Sequence, residues 1–155
     1  MTMELEPFSL SLARPLGTAA GEIETRRGFV VVVDIDGTVG VGEATPLPGW
    51  TESLSECERA LSRVDDPRTA LDSEWLSDAP AARHGLSLAL LDADARSEGR
   101  PLYRHLGGGE PVASVPVNAT VGDGTPAETV AAVEGAAAAG YRAVKVKVGN
   151  RSPDT

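Results

Sequence analysis

The chain holds just two lysines, Lys145 and Lys147, two residues apart in the run Tyr141-Arg-Ala-Val-Lys-Val-Lys-Val-Gly149. The other 12 of its 14 basic residues are arginine. An extended strand has a side-chain period of two, so both amines would share one face and Val144, Val146 and Val148 the other. Strands of parallel sheets usually read as unbroken apolar runs, so two charges within one must face something polar. Such a pair is the first place to look for chemistry. The plainer alternative is a solvent-facing edge strand, where lysines discourage pairing with another chain. On the strand alone, both readings stand.

The elements around the pair are well marked. Thr125, Pro126 and Glu128 combine an N-cap, a proline at the first helical position and the partner of a capping box, and Gly140 closes the helix. Val130, Val133 and Ala137 would form its apolar stripe. A strand over 112–121, this helix over 126–139 and a strand over 142–148 make a βαβ unit, with a right-handed crossover expected. One helix and two parallel strands leave sheet surface uncovered, so the sequence reads as the front portion of a larger protein.

The first third reads as antiparallel β structure. Phe8, Leu10 and Leu12 alternate with polar residues. Two further strands, 29–35 and 39–44, flank Asp36-Gly37, a dipeptide suited to a tight hairpin turn with positive φ at both central positions. Small residues from Pro15 to Glu22 form one loop, and Thr45 to Trp50, with two prolines, another. Ser53 and Glu56 have capping-box spacing ahead of Leu54, Cys57, Leu61 and Val64 at helical intervals. The acidic stretch 65–79 reads as loop, and a second helix runs from about Pro80 to Ser97, stopped by Gly99 and Pro101.

Composition excludes several functions. With 155 residues the chain can bury a sizeable core. Its formal charge of −9, from 23 acidic and 14 basic residues, supplies no basic face for phosphates, which argues against nucleic-acid binding. The acid-rich, lysine-poor balance fits a high-salt cytoplasm. Cys57 is the single cysteine, consistent with a reducing compartment. The start lacks the basic and apolar regions of a signal peptide, and the longest apolar run, Phe29 to Val33, is too short to span a bilayer. A soluble cytoplasmic protein without membrane partners is expected, and a homo-oligomer stays open.

Four stretches occur in an order that resembles the enolase superfamily, in its muconate-lactonizing subgroup. They are Arg26-Arg-Gly-Phe-Val-Val-Val-Val33, Gly40-Val-Gly-Glu-Ala-Thr-Pro46, Ala89-Leu-Leu-Asp92 with Gly99-Arg-Pro-Leu-Tyr103 and Gly107-Gly108, and Val144-Lys-Val-Lys-Val-Gly149. Pro46-Leu-Pro-Gly-Trp50 looks most like the o-succinylbenzoate synthases of menaquinone biosynthesis.

The resemblance implies an α+β capping domain over residues 1–110, followed over 111–155 by the start of a (β/α) TIM-like barrel. That is an enolase-type fold, truncated. Barrel active sites lie at the C-terminal ends of the strands, where the lysine run would fall. Lys147 matches the family's acid/base lysine and Lys145 its close neighbour. A second ammonium nearby disfavours protonation of the first, which suits proton abstraction. Leu16, Gly17 and Thr18, with Leu47, Pro48, Gly49 and Trp50, match segments that close over a small carboxylate substrate. The implied reaction is a Mg2+-dependent syn dehydration of a 2-succinyl-6-hydroxycyclohexadiene-1-carboxylate. The metal steadies the enediolate, and its ligands are expected from strands beyond this chain. N-succinylamino acid racemases and dipeptide epimerases share the lysine motif.

Two other readings compete. Val31-Val-Val-Asp-Ile-Asp-Gly-Thr38 resembles the haloacid dehalogenase-like phosphotransferase signature, which would make Asp34 the nucleophile and Asp36 the acid/base. The hairpin expected at Asp36-Gly37 argues against it, since that family needs its aspartates at the end of a parallel strand. A non-catalytic interaction fragment is the other. His84 and His105 lack partners at metal-ligand spacing. Asp92, Glu43, Trp75 and a buried, inert Cys57 read as structural.

Overall fold

A computed structural model describes residues 1–18, 21–47, 49–109, 113–122 and 124–147, with Thr18 described by its backbone alone. The described chain divides into two compact units. Unit one comprises Met1–Ala13 and Glu24–Glu110, and unit two comprises Arg14–Ile23 and Pro111–Thr155.

A three-stranded sheet runs in the order β1 (Thr2–Thr18), β2 (Gly21–Ile35), β3 (Thr38–Ala44). β2 and β3 pair antiparallel from Phe29↔Ala44 to Ile35↔Thr38. Asp36 (φ 52°) and Gly37 (φ 86°) make the turn, the left-handed pair that the sequence predicts. The Asp34 carboxylate accepts the Gly37 amide at 2.8 Å and locks it. β1 departs from the predicted alternation. Met3, Leu5, Phe8 and Leu12 are half-buried, whereas Leu10 is 61% exposed. The inward face therefore changes phase between Leu5 and Phe8.

Helices α1 (Leu54–Ser62) and α4 (Pro80–Ser97) close the core of unit one. The predicted capping box of α1 is present: the Glu56 amide donates to the Ser53 hydroxyl at 3.3 Å, and the Ser53 amide to the Glu56 carboxylate at 2.8 Å. Those Ser53 hydrogen bonds, its hydroxyl's above all, hold the Glu56 carboxyl below its usual pKa. Between them lie two short helices, α2 (Pro67–Ala70) and α3 (Glu74–Ser77), in the stretch predicted as loop. Asp66 nucleates the first by accepting the Arg68 and Thr69 amides, and Leu76 of the second is fully buried.

α4 lies directly on β3, and small residues allow it. A Cβ added at Gly40 would strike the Ala89 carbonyl oxygen, and one at Gly42 the Gly85 carbonyl oxygen. Ala82, Leu86, Ala89 and Ala93 then seal against Phe29, Val31, Val33 and Ala44. Asp92 stitches the same contact, accepting the Val41 amide and the Arg96 Nε, each at 2.9 Å. This is the structural role expected of it. Asp34 and Asp36 therefore sit in an antiparallel hairpin beneath α4 and not at the end of a parallel strand, which removes the geometry a phosphotransferase would need. α5 (Leu102–His105) completes the unit.

In unit two, β4 (Ala119–Val121) and β5 (Val144–Val146) pair parallel, joined by α6 (Pro126–Ala138). Both strands are shorter than predicted, and residues 113–118 are irregular. Among the described residues no helix is long and apolar enough to cross a membrane.

Candidate active site

α6 is delimited by chemistry visible in the sequence. The Thr125 amide donates to Glu128 at 2.7 Å and the Glu128 amide to the Thr125 hydroxyl at 3.2 Å. At the far end Gly140 takes φ 88°, and the Tyr141 and Gly140 amides donate back to the Ala136 and Ala137 carbonyls. That pattern is a glycine-terminated helix end, which turns the chain sharply into β5. The stripe is rotated relative to the prediction: Thr129, Val133 and Ala136 are half-buried, whereas Val130 and Ala137 are exposed.

β5 then carries the lysines. Lys145 lies within the strand, level with Thr120, and is exposed. Lys147 follows one residue past the strand end, and its amide continues the ladder to the Val121 carbonyl at 3.1 Å. The side chain of Lys147 is half-buried, and its Nζ donates to the Gly17 carbonyl oxygen at 2.6 Å. So Lys147 and the Leu16–Thr18 segment, nominated separately from the sequence, meet in unit two. Leu16 is 41% exposed.

The second nominated loop belongs to unit one. The Trp50 and Thr51 amides both donate to the Leu47 carbonyl at 3.0 Å, and the Leu47 amide donates to the Thr51 hydroxyl at 2.8 Å. Gly49 supplies the positive φ, 82°, that this closed turn requires. The turn holds the Trp50 ring out, 78% exposed. Pro48 lies outside the described residues. Trp50 and Trp75 both line a cleft of about 550 Å3, and the Arg63 guanidinium stacks 4.5 Å above the Trp75 ring.

Sequence reasoning passed over Thr51 and Glu52. The two Glu52 carboxylate oxygens accept the Ala81 and Ala82 amides at 3.0 and 2.8 Å, capping α4. A signal was available: alanine stands at the N-cap position of α4 and has no side-chain acceptor, so the orphan amides need one from elsewhere.

The remaining nominated groups are structural. Glu43 is exposed and accepts the Thr45 hydroxyl, and His105 Nδ1 lies 3.3 Å from Glu98. Cys57 is fully buried, and burial first, then the Glu52 charge, pushes its thiol up to about 12, which makes it inert. Among the described residues no three His, Cys, Asp or Glu side chains are grouped so as to hold a metal ion.

Comparison with known proteins gives this geometry a context. Residues 2–93 match the family model described as "MenC, N-terminal domain". The aromatic dipeptide epimerase of Herpetosiphon aurantiacus is 30% identical over 155 residues, which cover 92% of this chain and 43% of that protein. The o-succinylbenzoate synthase of Enterobacter sp. strain 638 is 38% identical over 73 residues, covering 46% of this chain and 23% of that protein. Among solved structures, the o-succinylbenzoate synthase of Thermosynechococcus elongatus, complexed with Mg in its active site, superposes with a TM-score of 0.73 at 26% identity, over 99% of this chain and 45% of the other. This chain thus spans less than half the length of the relatives it matches. The fold is the enolase-type α+β capping fold with the opening of a barrel, and the chain belongs to the MenC N-terminal domain family within the enolase superfamily.

Proposed function

We propose that this chain supplies the capping domain (1–110) and the opening βαβ unit (111–155) of an enzyme that removes the proton α to a substrate carboxylate. Lys147 is the acid/base group and Lys145 its neighbour. The observation that best supports this is the place of Lys147, half-buried at the C-terminal end of a parallel strand, where barrel enzymes keep their reacting groups.

Within that class the reading is o-succinylbenzoate synthase, supported by the family match over 2–93 and by the Enterobacter relative. The Lys147 amine takes the α proton and then delivers a proton to the departing hydroxyl on the same face, so that water leaves syn. Leu16–Thr18 and Leu47–Trp50 cover the small carboxylate substrate and keep bulk water from the carbanionic intermediate. Mg2+ is the expected metal, as in the Thermosynechococcus enzyme, but the described residues offer no set of side chains that fits it. The 155 residues by themselves should therefore neither turn over substrate nor bind Mg2+ tightly.

Dipeptide epimerisation is the second reading, favoured by the match to the aromatic dipeptide epimerase over 92% of the chain against 46% for the synthase. Assaying the full-length gene product that carries these residues separates the two. Loss of water from the cyclohexadiene substrate identifies the synthase, and exchange of a dipeptide α proton with solvent deuterium identifies the epimerase. In either case Lys147→Ala should slow the reaction about 10²–10⁴-fold, the usual contribution of a general base. An undiminished rate would move the base elsewhere.

A further inference from the structure

Among the described residues the Lys147 amine donates to one partner, a main-chain carbonyl 130 positions away in sequence, at Gly17. Two independent features make this contact informative. First, Arg14–Ile23, the distal part of the long β1–β2 ribbon, groups with residues 111–155 and not with the rest of its own strands. Second, Gly17 needs no special backbone and its Cα faces open space, with nothing within 4 Å of an added Cβ. Side-chain packing at residue 17 therefore does not hold the segment there. What meets residue 17 from across the unit is a short bond from the Lys147 amine to its carbonyl oxygen, which fixes the lysine as much as the strand.

We propose that the Gly17 carbonyl is a positioning group for Lys147, so that the end of β1 and the base form one unit: the amine clasps the strand end, and the strand end aims the amine. The proposal rests on reading Lys147 as the acid/base group and adds the group that orients it. Lys145, on the same strand, is exposed to solvent. For proton abstraction the Nζ must leave or share the Gly17 oxygen, so movement of the Leu16–Thr18 backbone and availability of the base are a single event. A carboxylate substrate, offering stronger acceptors than a peptide carbonyl, is the chemistry that would draw the amine away.

Because the chain has two lysines and no more, the test can be read directly. In the full-length gene product labelled with 15N-lysine, the Lys145→Arg and Lys147→Met variants identify the two ammonium resonances of this region. The clasp predicts that the Lys147 ammonium exchanges its protons with water several-fold more slowly than that of Lys145. It also predicts that Lys147→Met speeds amide exchange in the peptide spanning 14–18 about three- to ten-fold, the factor expected for losing one hydrogen bond. Exchange at Val31 and Val33, whose side chains are fully buried in unit one, should stay at the wild-type rate and so report that the fold is intact. Lys147→Arg, which keeps a cationic donor, should restore slow exchange, and Gly17→Ala, which keeps the carbonyl, should leave both signals as they are. Equal exchange of the two ammonium groups, or unchanged 14–18 exchange in Lys147→Met, would overturn the proposal. Neither readout depends on turnover. A slow Lys147 ammonium in an enzyme whose activity survives Lys147→Ala would sink the base and leave the clasp standing.

Discussion

The two units of this chain are built to different standards of closure. Among the described residues the buried apolar side chains, from Phe29 and Val31 through Leu61, Leu76, Leu86 and Leu90, all fall in unit one except Val121. Unit two has equally clear local signals, with a complete capping box and a glycine-terminated helix end, yet α6 contains no buried residue and Val130 is 56% exposed. Local hydrogen bonding can therefore specify an element without stabilising it. Stability comes from apolar area withdrawn from water, at about 25 cal/mol per Å2, and unit two withdraws little. Unit one thus carries nearly all the burial among the described residues, while unit two corresponds to the opening of a barrel whose relatives run on to more than twice this chain's length.

The strongest way to break the contrast is Gly42→Val. The new side chain would meet the Gly85 carbonyl oxygen and the Ala89 amide, so α4 must lift off β3. Loss of about 3 kcal/mol or more is expected, enough to unfold unit one in a chemical denaturation curve. A matched pair of truncations sharpens it. Leu61→Ala, at a fully buried site, should cost about 2–5 kcal/mol, whereas Val133→Ala in α6 should stay below about 1 kcal/mol. Similar losses at both sites would show that unit two is as well packed as unit one.

Cys57 gives a pH test of the same core. Its folded thiol value, about 12, lies above the ordinary 9.0, so the unfolded chain ionises first as pH rises. The contribution is fully present below about pH 9 and is lost as pH climbs toward about 12. Denaturant midpoints measured across that window should fall in the wild type and flatten in Cys57→Ala, and the thiol should resist alkylation at neutral pH until the protein unfolds. The smallest effect separates caps of identical chemistry. Ser53→Ala should destabilise by about 1 kcal/mol, visible as a lower global midpoint. Thr125→Ala removes as much from α6, but should register as local fraying by amide exchange and leave the unit-one midpoint in place.

Much of the scaffold was legible in the residues themselves. The Asp36-Gly37 turn, both capping boxes, the bounds of α4 and the Gly140 stop are decided by which side chains can satisfy nearby amides and which residues accept positive φ. These are interactions within a few positions, so the sequence states them outright. Asp92 could be nominated from the family pattern, although its partner Val41 could not. The candidate site was half legible: the lysine pair stood out by rarity and spacing, and Leu16–Thr18 by resemblance.

What the linear order of residues could not decide was settled across distance. The phase change in β1 that leaves Leu10 in solvent, the formation of α3 around the buried Leu76, and the rotation of the α6 face all depend on what each segment packs against. The partner of the Lys147 amine is of the same kind. Lys145 and Lys147 share one strand with period two, and the family pattern singles out Lys147 in the sequence itself. Nothing in the sequence names the Gly17 carbonyl 130 residues upstream, because main-chain acceptors carry no sequence signature and their positions exist only once the chain has folded.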